Sequence, residues 1–126
     1  MITENGYSLP KSERLSSFGA IRRLFKEGRG GFIYPFRYIV YAEPAEQTDV
    51  AILFSTPKKF HKRANRRNLL RRRMREAYRL NRTILAEAGK GAAIEVALIY
   101  STKEIHDYKT IENGVKRVLQ NIAGNL

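Results

Sequence analysis

Apolar positions recur along this chain with two different periods, and the switches between them lay out its elements. Phe18, Ile21, Leu24 and Phe25 fall at helical spacing, with Ser16 or Ser17 placed to cap the first turn and Gly28 placed to stop it. A helix over 17–27 is predicted, followed by a flexible Arg29-Gly30-Gly31 link. Residues 32–42 are aromatic and β-branched, the composition of a strand. Pro35 cannot donate to a ladder, so this stretch begins at an edge or a bend. From Phe36 onward the faces alternate, with Phe36, Tyr38 and Val40 on one side and Arg37, Ile39 and Tyr41 on the other.

A polar turn over 43–49 leads to a short apolar run over 50–54, read as a buried strand. A basic connector over 55–62 then opens a long helix expected over 64–87, which Gly89 and Gly91 end. Residues 94–100 read as another strand and 101–106 as a loop. Asp107 is placed to cap a last helix whose apolar positions are Ile111, Val115, Val118, Leu119 and Ile122. The order is α-β-β-β-α-β-α if 32–42 holds two strands, an α+β pattern. Residues 1–14 are polar and read as a loose N-terminal arm on a single domain spanning 1–126.

In projection at about 100° per residue, the long helix has two faces. Leu70, Met74, Ala77 and Tyr78 form an apolar stripe suited to packing on a sheet, with Asn81 close to it. Asn65, Asn68, Arg72, Arg75 and Arg79 lie opposite, and Arg71 and Arg73 flank the stripe.

Charge changes the meaning of that second face. Residues 57–82 hold twelve basic side chains against one acid, Glu76, a net of +11 in a 126-residue chain whose formal charge is +12. The rest of the chain is close to neutral. A solvated helix face usually mixes signs, but here like charges repeat at 63, 67, 71, 75 and 79, each neighbouring pair destabilising the helix by a few tenths of a kcal/mol. Such strain is relieved by a polyanionic partner, and arginine, nine of the twelve, suits phosphate forks and base stacking. Aromatic residues elsewhere (Phe18, Phe25, Phe36, Tyr38, Tyr41) have core packing as their ordinary use and stacking on unpaired bases as the alternative.

Other chemistries are poorly supplied. The chain has no cysteine, so disulfides and thiolate metal sites are excluded. His61 and His106 stand apart from any carboxylate cluster. His61, in the basic connector, reads as a phosphate or base contact and His106 as a loop or capping residue. The cationic element carries no paired carboxylates of the kind a metal-dependent nuclease uses, and Glu76 reads as the partner of Arg72, Arg73 or Arg79. No run of about 20 apolar residues is present to span a membrane, and a cytoplasmic protein is expected.

The run Arg67-Asn68-Leu69-Leu70-Arg71-Arg72-Arg73-Met74-Arg75-Glu76-Ala77-Tyr78-Arg79, with Lys58-Lys59 and Ala64 upstream, resembles the signature of the bacterial ribonuclease P protein family. The resemblance extends over 9–122, through Ser12-Glu13-Arg14-Leu15 and Leu24-Phe25-Lys26-Glu27-Gly28. It departs from the family pattern at Ile21, at Lys62-Arg63 and at Leu69.

The resemblance implies a two-layer α/β sandwich with a left-handed β-α-β crossover through the basic helix. It also implies an accessory subunit of a ribonucleoprotein endonuclease that removes the 5′ leader of precursor tRNA. Catalysis belongs to the RNA subunit, which binds most of the Mg²⁺, and no catalytic residue or metal site is expected in the protein, a monomer when free. The basic segment so identified is expected to bind RNA through Lys58, Lys59, Lys62, Arg63, Arg66, Arg67, Asn68, Arg71, Arg72, Arg75 and Arg79. The cleft for the single-stranded leader is expected to be lined by Phe25 and Tyr41, with Arg37 and Ile39 on the same strand face as Tyr41. The competing reading is a stand-alone RNA-binding or ribosome-associated module with no part in cleavage, which composition alone does not separate from the first.

Overall fold

The computed structural model describes residues 18–126, so the arm at 1–14 and the serine cap lie outside the described residues. The elements are α1 (Phe18–Glu27), β1 (Arg29–Ile33), β2 (Phe36–Pro44), β3 (Asp49–Ser55), α2 (Ala64–Asn81), α3 (Thr83–Ala88), β4 (Ala92–Tyr100) and α4 (Tyr108–Gly124). The strands form one mixed sheet in the order β1-β2-β4-β3. β2 is antiparallel to both β1 and β4, whereas β3 and β4 run parallel, so the chain crosses from β3 through α2 and α3 to the centre of the sheet.

Alternation decides which face each strand residue serves. Phe36, Tyr38, Val40, Val50, Ile52, Ile94, Val96, Leu98 and Tyr100 point to one face and are buried with Leu70, Met74, Ala77 and Tyr78 of α2, Leu85 of α3 and the apolar stripe of α4. On the other face Ile39 and Ala97 are buried beneath Leu24 of α1, with Ile21, Tyr41, Ala51, Leu53 and Ile99 partly buried around them. Three helices therefore cover one face, and the short α1 lies across part of the other. The expected sandwich is the α2–α4 layer on the sheet, with α1 added behind it. The apolar stripe of α2 packs on α4 as well as on β3, where Tyr78 meets Phe54 edge to face at 6.0 Å.

Two expectations change, at the glycine link and at the end of the long helix, while 32–42 divides into two strands as one reading of it had. Arg29-Gly30-Gly31 is no flexible link but the first part of β1, paired with Val40, Ile39 and Tyr38 at the sheet edge. Gly31 is accommodated there because a Cβ would run into the Tyr38 ring. Pro35 separates two strands, at a cis Tyr34–Pro35 peptide. The long helix ends at Asn81, whose side-chain amide donates to the Ala77 carbonyl (2.8 Å) and to Glu112 of α4 (3.2 Å). Bonding back to the preceding turn bends helices, and α3 restarts at Thr83 after Arg82.

At α4, Asp107 accepts from the Thr110 N–H at 2.9 Å, the expected cap. Gly114 lets this helix approach β2 closely, since a Cβ there would lie 2.9 Å from the Phe36 ring and 3.0 Å from Pro35.

Candidate RNA interface

The arginines of α2 and its connector divide by what they touch. Arg73 donates to the His106 carbonyl at 2.5 Å and so ties the 101–106 loop to the helix. Arg67 donates to the carbonyls of His61 (3.0 Å) and Lys62 (2.7 Å), bracing the connector against the first turn. Arg71 reaches the Thr56 hydroxyl at 2.8 Å and also bonds the Asn68 side chain. Arg79 forms a two-pronged pair with Glu76 (3.0 and 2.7 Å), and this partner holds the Glu76 carboxyl below the ordinary carboxylate range.

What remains outward is a cationic surface anchored from behind. Lys58, Lys59, Lys62, Arg63, Arg66 and Arg72 are exposed, and Arg75 is partly exposed. Among the described residues Arg66 and Arg72 make no side-chain hydrogen bond, and Arg72 shares a shallow groove with Asn68, Arg71 and Arg75. Arg63, at the N-cap of α2, supplies no side-chain cap, and the first turn holds no acid. The positive end of its dipole therefore adds to the same field.

His61 departs from its expected role. It is buried at 4% exposure, its Nε2 lies 2.8 Å from the Thr102 carbonyl oxygen, and its ring packs 5.7 Å from Tyr100. It pins the connector to the loop after β4 and presents no surface to a phosphate. His106 does serve the loop, as expected. Its carbonyl accepts from Arg73, its N–H donates to the Tyr100 hydroxyl (3.1 Å), and its Nε2 lies 2.9 Å from the Tyr34 hydroxyl.

The α1 side holds the four residues assigned to the leader. Phe25 is 48% exposed and Ile39 only 9%, so Ile39 is the floor beneath Leu24 while Phe25 is free to be touched. Arg37 is exposed and Tyr41 half-buried. The pattern missed Arg23 and Glu95. Their side chains pair at 2.7 Å, and the Arg23 guanidinium also lies 5.0 Å from the centre of the Tyr41 ring.

Tyr41 in turn donates to Glu43 at 3.1 Å, and that bond, with burial, raises its phenol above the ordinary value. The signal for Glu95 was its solitary charge on the Glu95-Ala97-Ile99 face of an otherwise apolar strand.

A mixed sheet backed by a basic helix, with outward arginines and an aromatic-lined second face, defines a nucleic-acid-binding protein of the α+β class. A family profile described as Ribonuclease P matches residues 9–123. The chain is 36% identical over 124 residues to the ribonuclease P protein component of Porphyromonas gingivalis, covering 95% of this chain and 90% of that one. It is 32% identical over 134 residues to the component from Chlorobaculum tepidum, covering 94% and 84%.

Among solved structures, the ribonuclease P protein of Thermotoga maritima superimposes with a TM-score of 0.69 at 24% identity, over 86% of this chain and 96% of that one. The Staphylococcus aureus protein does so with a TM-score of 0.65 at 19% identity, over 89% and 96%. The chain belongs to the ribonuclease P protein family. It is the protein part of an endoribonuclease ribonucleoprotein that processes tRNA, and the stand-alone alternative is not favoured.

Proposed function

We propose that α2 and its connector dock on the catalytic RNA subunit and that the α1 side of the sheet receives the single-stranded 5′ leader of precursor tRNA. The observation that carries this reading is the division of the arginines. Arg67, Arg71 and Arg73 hold the frame, and Arg63, Arg66 and Arg72 stand outward as counter-charge. Guanidinium groups held in place ahead of binding meet backbone phosphates at a smaller entropic cost than a flexible tail does. The protein's contribution is then to let phosphate-rich strands approach one another and to hold the leader, while the RNA subunit performs the hydrolysis.

Mg²⁺ belongs to the RNA in this reading. Among the described residues no three His, Asp or Glu side chains converge where a cation could sit. The reading carries with it a cytoplasmic location and a free protein that is monomeric.

Reconstitution tests the proposal. The protein is mixed with its cognate catalytic RNA and precursor tRNA at low Mg²⁺, and removal of the leader is followed. Stimulation over RNA alone is expected, and cleavage no faster than RNA alone would overturn it.

A further inference from the structure

Two aromatic rings stand exposed at the β1–β2 hairpin, outside the cleft residues assigned above. Phe32 is 58% and Tyr34 46% exposed, and their rings meet edge to face at 6.5 Å. A single exposed ring needs no explanation, but this pair is built. The Tyr34 hydroxyl donates to Glu104 at 2.9 Å and lies 2.9 Å from His106 Nε2, and its ring stands at 82° to the His106 ring, 5.4 Å away. His106 is itself held by Arg73 of the basic helix. The platform is thus fixed to the element that docks the protein.

Register places Phe32 beside a cation. Phe32 lies directly across from Arg37, Arg37 from Ile99, and Ile99 from Ser55, so these residues share one row on the α1 side of the sheet. The next row, Ile39 and Ala97, is buried under Leu24, and the row beyond it, Tyr41 and Glu95, lies against Arg23. The Phe32 row is therefore the open end of this face. Arg37 is exposed and forms no ion pair among the described residues. A ring with an unpaired guanidinium beside it fits a base and its phosphate, the combination that single-stranded nucleic acid takes.

We propose that Phe32, supported by Tyr34 and flanked by Arg37, is a stacking platform for an unpaired nucleotide of the leader. The nucleotide is a different one from those held near Tyr41. The inference rests on the leader reading given above. The leader is chosen over the catalytic RNA because Phe32 projects to the face that carries Tyr41, opposite the α2–α4 layer. Along β2, Arg37 lies about 13 Å from Tyr41 at ~3.3 Å per residue, so the platform meets a different nucleotide of the strand.

The test uses the reconstituted holoenzyme and two ligands: precursor tRNA with its leader and mature tRNA. Phe32→Ala is expected to weaken the precursor complex by about 5- to 150-fold, the range for one base–aromatic stack, and to leave mature tRNA unchanged. Phe32→Trp is expected to restore binding and Phe32→Leu is not. Affinity of Phe32→Ala for precursor tRNA unchanged from wild type, an equal loss on both ligands, or full restoration by leucine would overturn the platform. Failure of the wild-type protein to stimulate cleavage would instead overturn the leader reading beneath it.

Discussion

Arg72 and Arg73 are neighbours in sequence with different tasks. Arg72 is exposed and free of side-chain hydrogen bonds among the described residues, whereas Arg73 holds the loop that carries His106. Substitution separates the two. Arg73→Ala should lower the thermal unfolding temperature, because a hydrogen bond from a charged donor contributes about 1.5–3 kcal/mol, discounted here for partial exposure. Arg72→Ala should leave unfolding unchanged and weaken RNA binding. Calorimetry of the two variants checks this, and equal unfolding temperatures would contradict the division. The sequence placed both arginines on α2 but could not assign these tasks. Arg73's partner is a carbonyl 33 residues away, and helical periodicity carries no information about a distant loop. The same blindness affected His61, whose basic neighbours pointed to phosphate while its actual partner, the Thr102 carbonyl, lies beyond β4.

At the scale of elements, strong local signals were readable and shared ones were not. The two faces of β2 and the buried stripe of α2 follow from periods of 2 and 3.6, which burial enforces. The break after Asn81 was invisible because it depends on a side chain bonding both to its own helix and to Glu112 of α4. The Gly30-Gly31 pair looked flexible because glycine's strand role appears only once Tyr38 is seen to fill the space.

The Asp107 cap of α4 yields a pH prediction. Hydrogen bonds from Thr110 hold its carboxyl below the ordinary value of 3.8. A depressed folded pKa contributes stability that is present above the unfolded value and lost as pH falls through the folded one. Asp107→Ala should therefore unfold at a lower temperature than wild type at neutral pH. The gap should begin to close below about pH 4 and vanish once the folded carboxyl is protonated. A gap that stays constant from neutral to acidic pH would contradict the cap.

The whole molecule separates two surfaces by placing them on opposite sides of one sheet. Outward arginines ride on the α2–α4 layer, and the aromatic row and the Arg23–Glu95 pair lie on the α1 side. In the proposed function one of these surfaces takes the catalytic RNA and the other the leader. The sequence announced the first surface through its charge density. It showed the second only in outline, because Phe32 and Arg37 face each other across the β1–β2 hairpin and join Ile99, far along the chain, only through strand register.

The central claim is that the outward arginines of α2 neutralise phosphates of the catalytic RNA. It is tested most directly by the salt dependence of that binding, compared between wild type and the Arg66→Ala, Arg72→Ala double variant. Each phosphate contact contributes about 0.7–0.9 to the slope of log K against log salt. Loss of two contacts should make the slope shallower by about 1.5, with an unchanged unfolding temperature. A slope identical to that of wild type would show that this face does not touch phosphate.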